Sequence, residues 1–478
     1  MKWPNAVDRL AQAEHSFLDQ YPDYRNTTAL DELRHAQYER LDRLGHRYLD
    51  YTGASLYSSR QIQEHAQLLL ADVFGNPHSS SPTSALATRL VERARGAVHE
   101  FFRASPDEYI VVLTRNATGA LKLVGESYPF DHASRLLLAF DNHNSVNGIR
   151  EFARAARAAV TYSPLVLPDM RLDAEALSAH LNSPGETTHK LFAYPAQSNF
   201  SGVQHSLDWI EFAHARGWDV LLDAAAYVPA NRLDLSVAKP DFVCVSFYKM
   251  FGYPTGAGCL IARRAVVSKL RRPWFSGGTI TVASVKGDRH FLHSGPEAFE
   301  DGTPDYLSAP AIEIGLKHIA DVGYAAIHAR VVSLTGWVLE QLSALRHGNG
   351  LAAVRIYGPL TTDARGATVA FNFFDKDGRF VDHRMVEDRA NDMNISLRTG
   401  CFCNPGGGEV ALGISAEELS TCFSGTPSSF TLDDFRLCIA DKSTGAVRIS
   451  FGLVSNFADA YHFMQFAARF VDKRAVET

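Results

Sequence analysis

The sequence predicts an α/β protein whose main domain is built on a mostly parallel sheet. Two observations carry this. Seven short apolar runs recur between residues 108 and 263, and amphipathic, helix-like stretches separate them. Continuous apolar strands alternating with helices imply a sheet covered on both faces. Ligands then sit at the carboxyl ends of the strands, so the residues just after each run are the ones to inspect.

Residues 1–45 come first and are polar and helical; "ALDELRHAQYERLDRLG" carries apolar positions at helical spacing and stops at Gly45. Residues 46–319 hold the seven runs: Glu108–Thr114, Arg135–Phe140, Ala158–Tyr162, Lys190–Pro195, Asp219–Ala225, Asp241–Phe247 and Gly258–Arg263. A Gly/Pro-rich crossing (Gly295–Pro310) leads into one long helical stretch, "AIEIGLKHIADVGYAAIHARVVSLTGWVLEQLSALR". Strands "ATVAFNFF" and "AVRISFG" and a last amphipathic helix make residues 320–478 a smaller α+β domain.

Composition narrows the function. The 478 residues are 46% hydrophobic and 21% charged, as in ordinary globular proteins. A net charge of −6 argues against a nucleic-acid partner. The one basic cluster, Ala262–Arg272, reads as a solvated helix face. No run approaches the roughly 18–20 apolar residues of a membrane span, and no membrane partner is expected. The first residues lack the apolar core of a signal peptide. Six cysteines in so long a chain do not form a disulfide framework, so a reducing, cytoplasmic setting is expected.

The strand ends carry the chemistry. Thr114–Gly119 opens a helix with small polar residues, which is either an anion site or a plain cap by Asn116 or Thr118. His143, in Asp141-Asn142-His143-Asn144, can stack on a flat ligand or cap a loop. Gln197–Gly202 aims an amide into the same cleft or forms a surface turn. Asp223 and Lys249 follow successive apolar runs, where a lone charge is costly to bury. They could simply pair. Pyridoxal phosphate, however, needs a lysine for its covalent attachment, a carboxylate on its ring nitrogen and a phosphate cup. The order of phosphate turn, His143, Asn199, Asp223 and Ser246-x-x-Lys249 supplies all three, and desolvation makes the lysine amine a usable nucleophile. "RTGCFCNPGGG" (Arg398–Gly408) places Cys401 and Cys403 one residue apart; metal clip, disulfide half, packing and nucleophile are all open on this stretch alone. No second Cys/His pair with zinc spacing follows, so no metal is expected.

The stretches "YLDYTGASLYS", "FGNPHSSSPTS", "LTRNATGALKLVGESYPF", "YPAQSNFSGV", "SFYKMFGYPTGAG", "FSGGTI", "RTGCFCNPG" and "GAVRISFGLVSNFADA" resemble the fold-type-I, class V aminotransferase family. Within it they are most similar to cysteine desulfurases and the desulfurase-like part of molybdenum cofactor sulfurases. The resemblance implies pyridoxal phosphate carried on Lys249, with Asp223 on the ring nitrogen, His143 on the ring and Asn199 near the ring oxygen. Ala117, Thr118, Ser246 and Tyr248 would surround the phosphate, and Thr279 would complete the partner's cup in a homodimer. Arg398, with Asn199, would bind the substrate, and Cys403 would be the persulfide-forming cysteine. The implied substrate is L-cysteine or a related sulfur amino acid, giving alanine; the acceptor is not fixed, with molybdenum cofactor one candidate. The alternative within enzymes is a lyase cleaving C–S or C–Se bonds without an enzyme persulfide. Departures are Ala226, where many desulfurases are polar, and "CFCNPGGG" where the subgroup continues "CFCNPGAC", which predicts a looser loop. Full-length molybdenum cofactor sulfurases carry a further C-terminal domain thought to receive the cofactor, and the resemblance here covers only the desulfurase-like part, which leaves the acceptor open.

Overall fold

The computed structural model describes residues 6–475, apart from 78, 186, 425–430, 432–433, 435–437 and 440–441. Its centre is a sheet of seven strands: β1 (Tyr109–Thr114), β2 (Arg135–Ala139), β3 (Ala159–Ser163), β4 (Lys190–Pro195), β5 (Asp219–Asp223), β6 (Phe242–Ser246) and β7 (Gly258–Arg263). The order is β1-β7-β6-β5-β4-β2-β3. All neighbours pair in parallel except β7, which runs antiparallel to both β6 and β1. Strands β5 and β6 are buried along their whole length, as the unbroken apolar runs require. Cys244 and Cys259 sit fully buried in this sheet.

A second sheet has four antiparallel strands, β8 (Val354–Tyr357), β9 (Thr368–Phe373), β10 (Arg398–Gly400) and β11 (Ala446–Ser450), in the order β8-β9-β11-β10. The N-terminal helices pack on this part of the chain: buried Arg330 donates to Thr27 Oγ1 at 2.7 Å and pairs with Asp31. Arg47–Tyr48 pairs in parallel with Ile395–Ser396, bringing Asp50 beside Ser450.

Several expectations change. The long helix is two, Ala309–Val322 and Tyr324–Ala344, bent 71° apart. Gly323, at φ +83°, makes the break, a conformation that costs glycine little. "ALDELRHAQYERLDRLG" also splits, at Tyr38, whose side chain is fully buried. The basic cluster is solvated in part, Arg264, Lys269 and Arg271 being exposed, and its remaining arginines are engaged. It is the end of β7 and a four-residue helix; Lys269 pairs with Asp219, and buried Arg272 pairs with Glu126 and Asp301. Cys422 and Cys438 form a disulfide, against the expectation of free thiols, because the fold brings their Cα atoms to 5.6 Å. Among the described residues no single helix is long and apolar enough to cross a membrane.

Candidate active site

Lys249 lies on a short helix, Phe247–Phe251, directly after β6. Phe247, Met250 and Phe251 bury the far side of that helix and leave Tyr248 and Lys249 partly open. Gly252 ends it at φ +78°, where a Cβ would strike the backbone of Leu56 and Tyr57. Among the described residues the Lys249 ammonium has no hydrogen bond or ion pair. Burial pushes its pKa below the ordinary value; Asp223 opposes this, and Arg448 reinforces it. A partly desolvated, unpartnered amine is what nucleophilic lysine chemistry needs.

Asp223 closes β5 and is buried. Its Oδ1 accepts from the Ala225 amide at 3.0 Å. Oδ2 accepts nothing among the described residues, which leaves a carboxylate oxygen open to a cationic ligand nitrogen.

His143 caps the short helix Asn144–Asn147; its Nδ1 accepts from the Ser145 amide at 3.1 Å. In the neutral ring this hydrogen-bond network puts the proton on Nε2. Burial lowers the His143 pKa, so the neutral ring is favoured, and the charge of Asp223 acts against that. Ser145 Oγ lies 2.8 Å from Thr118 Oγ1, which ties His143 to the next helix start.

That start is helix Ala117–Ser127, capped by Asn116, whose side chain accepts from Gly119 N. The plain cap and the anion site therefore coexist. Ser246 Oγ accepts from Ala117 N at 2.8 Å. The Thr118 amide has no partner among the described residues and sits at the positive end of the helix. Tyr248 is partly buried, and burial raises its phenol pKa.

Gln197–Gly202 is not a surface turn; Gln197 through Ser201 are all buried. Asn199 Nδ2 donates to Phe402 O at 2.8 Å, and its Oδ1 accepts from Asn404 Nδ2 at 2.9 Å. One Asn199 N–H remains for a ring oxygen.

Cys401 and Cys403 are both exposed and free, while Phe402 between them is buried against Phe200. Cys403 O accepts from Asn144 N at 2.7 Å, so the thiol-bearing residue rests on the residue after His143. The expected looseness of the glycines is overturned. Gly406, Gly407 and Gly408 lie buried in helix Pro405–Leu412, and a Cβ on Gly406 would sit 1.9 Å from Phe140 O. The glycines serve close packing there.

Arg398 donates from Nε and Nη2 to Asp50 Oδ2, at 2.9 and 2.6 Å. This pairing raises its pKa. Sequence reasoning missed Asp50 and its second partner, Arg448. Arg448 is buried in β11, donates to Asp50 Oδ1 and to Asn199 O at 2.9 Å each, and its buried Nε has no hydrogen-bond partner among the described residues. The signal was present: an arginine inside "AVRIS" is as costly to bury as Asp223.

Thr279 is not drawn into this cluster. Its hydroxyl donates to Ser276 O at 2.8 Å, and its carbonyl accepts from His293, at the foot of the hairpin Ile280–Ser284/Arg289–Leu292.

The residues present fit pyridoxal phosphate: an unpartnered amine, a half-used carboxylate, a ring-sized histidine and an open amide at a helix start. The fold is that of the fold-type-I, pyridoxal-phosphate-dependent class. A cysteine desulfurase from Thermococcus onnurineus superposes with a TM-score of 0.76, at 23% identity, over 92% of this chain and 98% of its own. The chain belongs to the aminotransferase class-V family, whose model matches residues 47–463. Molybdenum cofactor sulfurases are similar to it: the Arabidopsis thaliana protein is 37% identical over 94% of this chain, and the human protein 36% over 92%. The chain spans 60% and 51% of the lengths of those two relatives.

Proposed function

We propose that this chain is a pyridoxal-phosphate-dependent cysteine desulfurase, a sulfurtransferase that takes sulfur from L-cysteine onto Cys403 as a persulfide and releases alanine. The observation that carries the reading is the seat of Cys403. It is an exposed, free cysteine whose backbone carbonyl accepts from the Asn144 amide, next to His143.

Lys249, Asp223 and Asn199 hold the cofactor, with the phosphate at Ala117, Thr118, Ser246 and Tyr248. When bound, the cofactor supplies an electron sink for the substrate Cα. The Lys249 amine removes the Cα proton and later returns one. Arg448 and Arg398 hold the substrate carboxylate, a pairing that suits guanidinium geometry. The Cys403 thiolate attacks the substrate sulfur: an S–S bond forms, and the C–S bond breaks with its electron pair passing to the substrate Cβ. A proton there completes alanine.

The reading includes a homodimer in which Thr279 serves the partner's phosphate site. The exposed apolar side chains of the hairpin, Val282 and Phe291 at 60% each, support the dimer, whereas Thr279 itself is fully buried with its hydroxyl on Ser276. A sulfur acceptor follows, with molybdenum cofactor as the class offered by the similar sulfurases; the free Cys401 and Cys403 suit a reducing cytoplasmic setting, and the Cys422–Cys438 disulfide argues against it. The test is incubation of the purified protein with L-cysteine, measuring alanine and bound persulfide, beside Cys403→Ala. Sulfide and alanine release that survives in the variant would return the site to a lyase.

A further inference from the structure

We infer that Asn404 is a positioning residue that fixes Cys403, so that sulfur is taken up and handed on from a pinned turn instead of a swinging loop. This rests on the desulfurase reading in taking Cys403 as the nucleophile.

The three carbonyls of the cysteine turn each accept one hydrogen bond. Cys401 O accepts from Asn404 N at 2.9 Å, Phe402 O from Asn199 Nδ2 at 2.8 Å and Cys403 O from Asn144 N at 2.7 Å. Asn404 is the residue that joins these donors. It is fully buried. Its Nδ2 donates to Asp141 O at 2.7 Å and to Asn199 Oδ1 at 2.9 Å, and its Oδ1 accepts from Gly407 N at 2.9 Å. Both side-chain N–H groups are thus used, one on each of the two strand ends that carry His143 and Asn199. Asp141 is itself held by buried His205 at 3.0 Å.

The backbone adds a second reason. Phe402 and Cys403 stand at φ +56° and +54°, the left-handed region that side-chain-bearing residues avoid. Two such residues in succession persist only where the surroundings hold them. The Phe402 ring provides one hold, 5.3 Å from the Phe200 ring and 4.7 Å from the Arg448 guanidinium. The Asn404 bonds provide the other. A pinned thiol with its side chain exposed means that the acceptor comes to Cys403.

Asparagine is specific to this task. Aspartate at 404 keeps the size and the acceptor for Gly407 N but turns a carboxylate oxygen toward two other oxygens. Serine keeps the helix cap and loses both donor bonds. The experiment compares Asn404→Asp and Asn404→Ser with the parent, all loaded with pyridoxal phosphate. We expect unchanged cofactor content and a KM for L-cysteine within about twofold, with single-turnover persulfide formation on Cys403 about 10- to 100-fold slower, as small misplacements of a reacting group produce. In the cofactor-free proteins, iodoacetamide alkylation of Cys403 should shift in rate in both variants. Parent-like persulfide formation in both variants overturns the inference. So does a loss of cofactor and KM in step with the rate, which marks general damage. If the parent itself forms no persulfide, the desulfurase reading fails, and the alkylation rates still decide on the pinned turn: unchanged rates overturn it.

Discussion

The Asp50 carboxylate lies 2.9 Å from the Arg448 guanidinium, and both side chains are buried. The same carboxylate binds Arg398, whose side chain is 52% exposed. One anion from the N-terminal segment therefore sets two cations beside Lys249.

Asp50→Asn strips Arg448 of its counter-charge while keeping shape. Removing one partner of a buried pair costs about 3–5 kcal/mol, and the exposed Arg398 adds little to that. Urea unfolding of the cofactor-free protein should show that loss as a lower midpoint. A midpoint unchanged from the parent would mean that Arg448 finds another partner.

Arg448→Gln should weaken L-cysteine binding more than Arg398→Gln. The Arg448 Nε is buried with no hydrogen-bond partner among the described residues, whereas the Arg398 donors already serve Asp50. A lost charged hydrogen bond is worth about 1.5–3 kcal/mol, so KM should rise by roughly 10- to 150-fold. Steady-state kinetics on the two variants check the order; the reverse order would return the clamp to Arg398.

Lys249→Met should stabilise the cofactor-free protein at pH 7. The folded-state pKa of Lys249 lies below the ordinary 10.5, so the fold binds this proton less tightly than the unfolded chain does. The lysine's favourable contribution is therefore complete only above pH 10.5 and is lost as pH falls toward the folded pKa. Methionine carries no such penalty. The variant should melt higher at pH 7, and the gap should narrow toward pH 10.5. A gap that widens with pH would contradict the depressed pKa.

Gly406→Ala and Gly408→Ala should act in opposite directions. A Cβ at 406 meets Phe140 O at 1.9 Å; at 408 its nearest neighbour is Cys401 Cβ at 3.8 Å. Overpacking costs about 1–3 kcal/mol, while alanine in an open helical position gains about 0.5–1 kcal/mol. Thermal melts of the two variants test this. Equal effects would mean that the glycines are not packing residues.

The seven main strands were legible because parallel, doubly covered strands leave unbroken apolar runs, from Tyr109–Thr114 through Gly258–Arg263. Asp223 and Lys249 were legible as charges placed directly after such runs. Arg448 was hidden because it sits inside a strand, and its counter-charge, Asp50, lies 398 residues away in sequence. The glycines of "PGGG" misled because flexibility and close approach use the same residue, and only the neighbour, Phe140, decides between them. Gly323 was a local helix-stop signal overlooked within the apolar periodicity, whereas the Cys422–Cys438 pair depended on tertiary placement, which no local pattern encodes.

Cys403 is the proposed acceptor of the substrate's sulfur. The most direct measurement is mass spectrometry of the cofactor-loaded protein after one turnover with sulfur-labelled L-cysteine, with Cys403→Ala alongside. One labelled sulfur is expected on the peptide bearing Cys403, with one alanine per labelled site, and neither product from Cys403→Ala, although its visible cofactor absorption stays as in the parent. Label-free Cys403 with full sulfide release, unchanged in the variant, would contradict it.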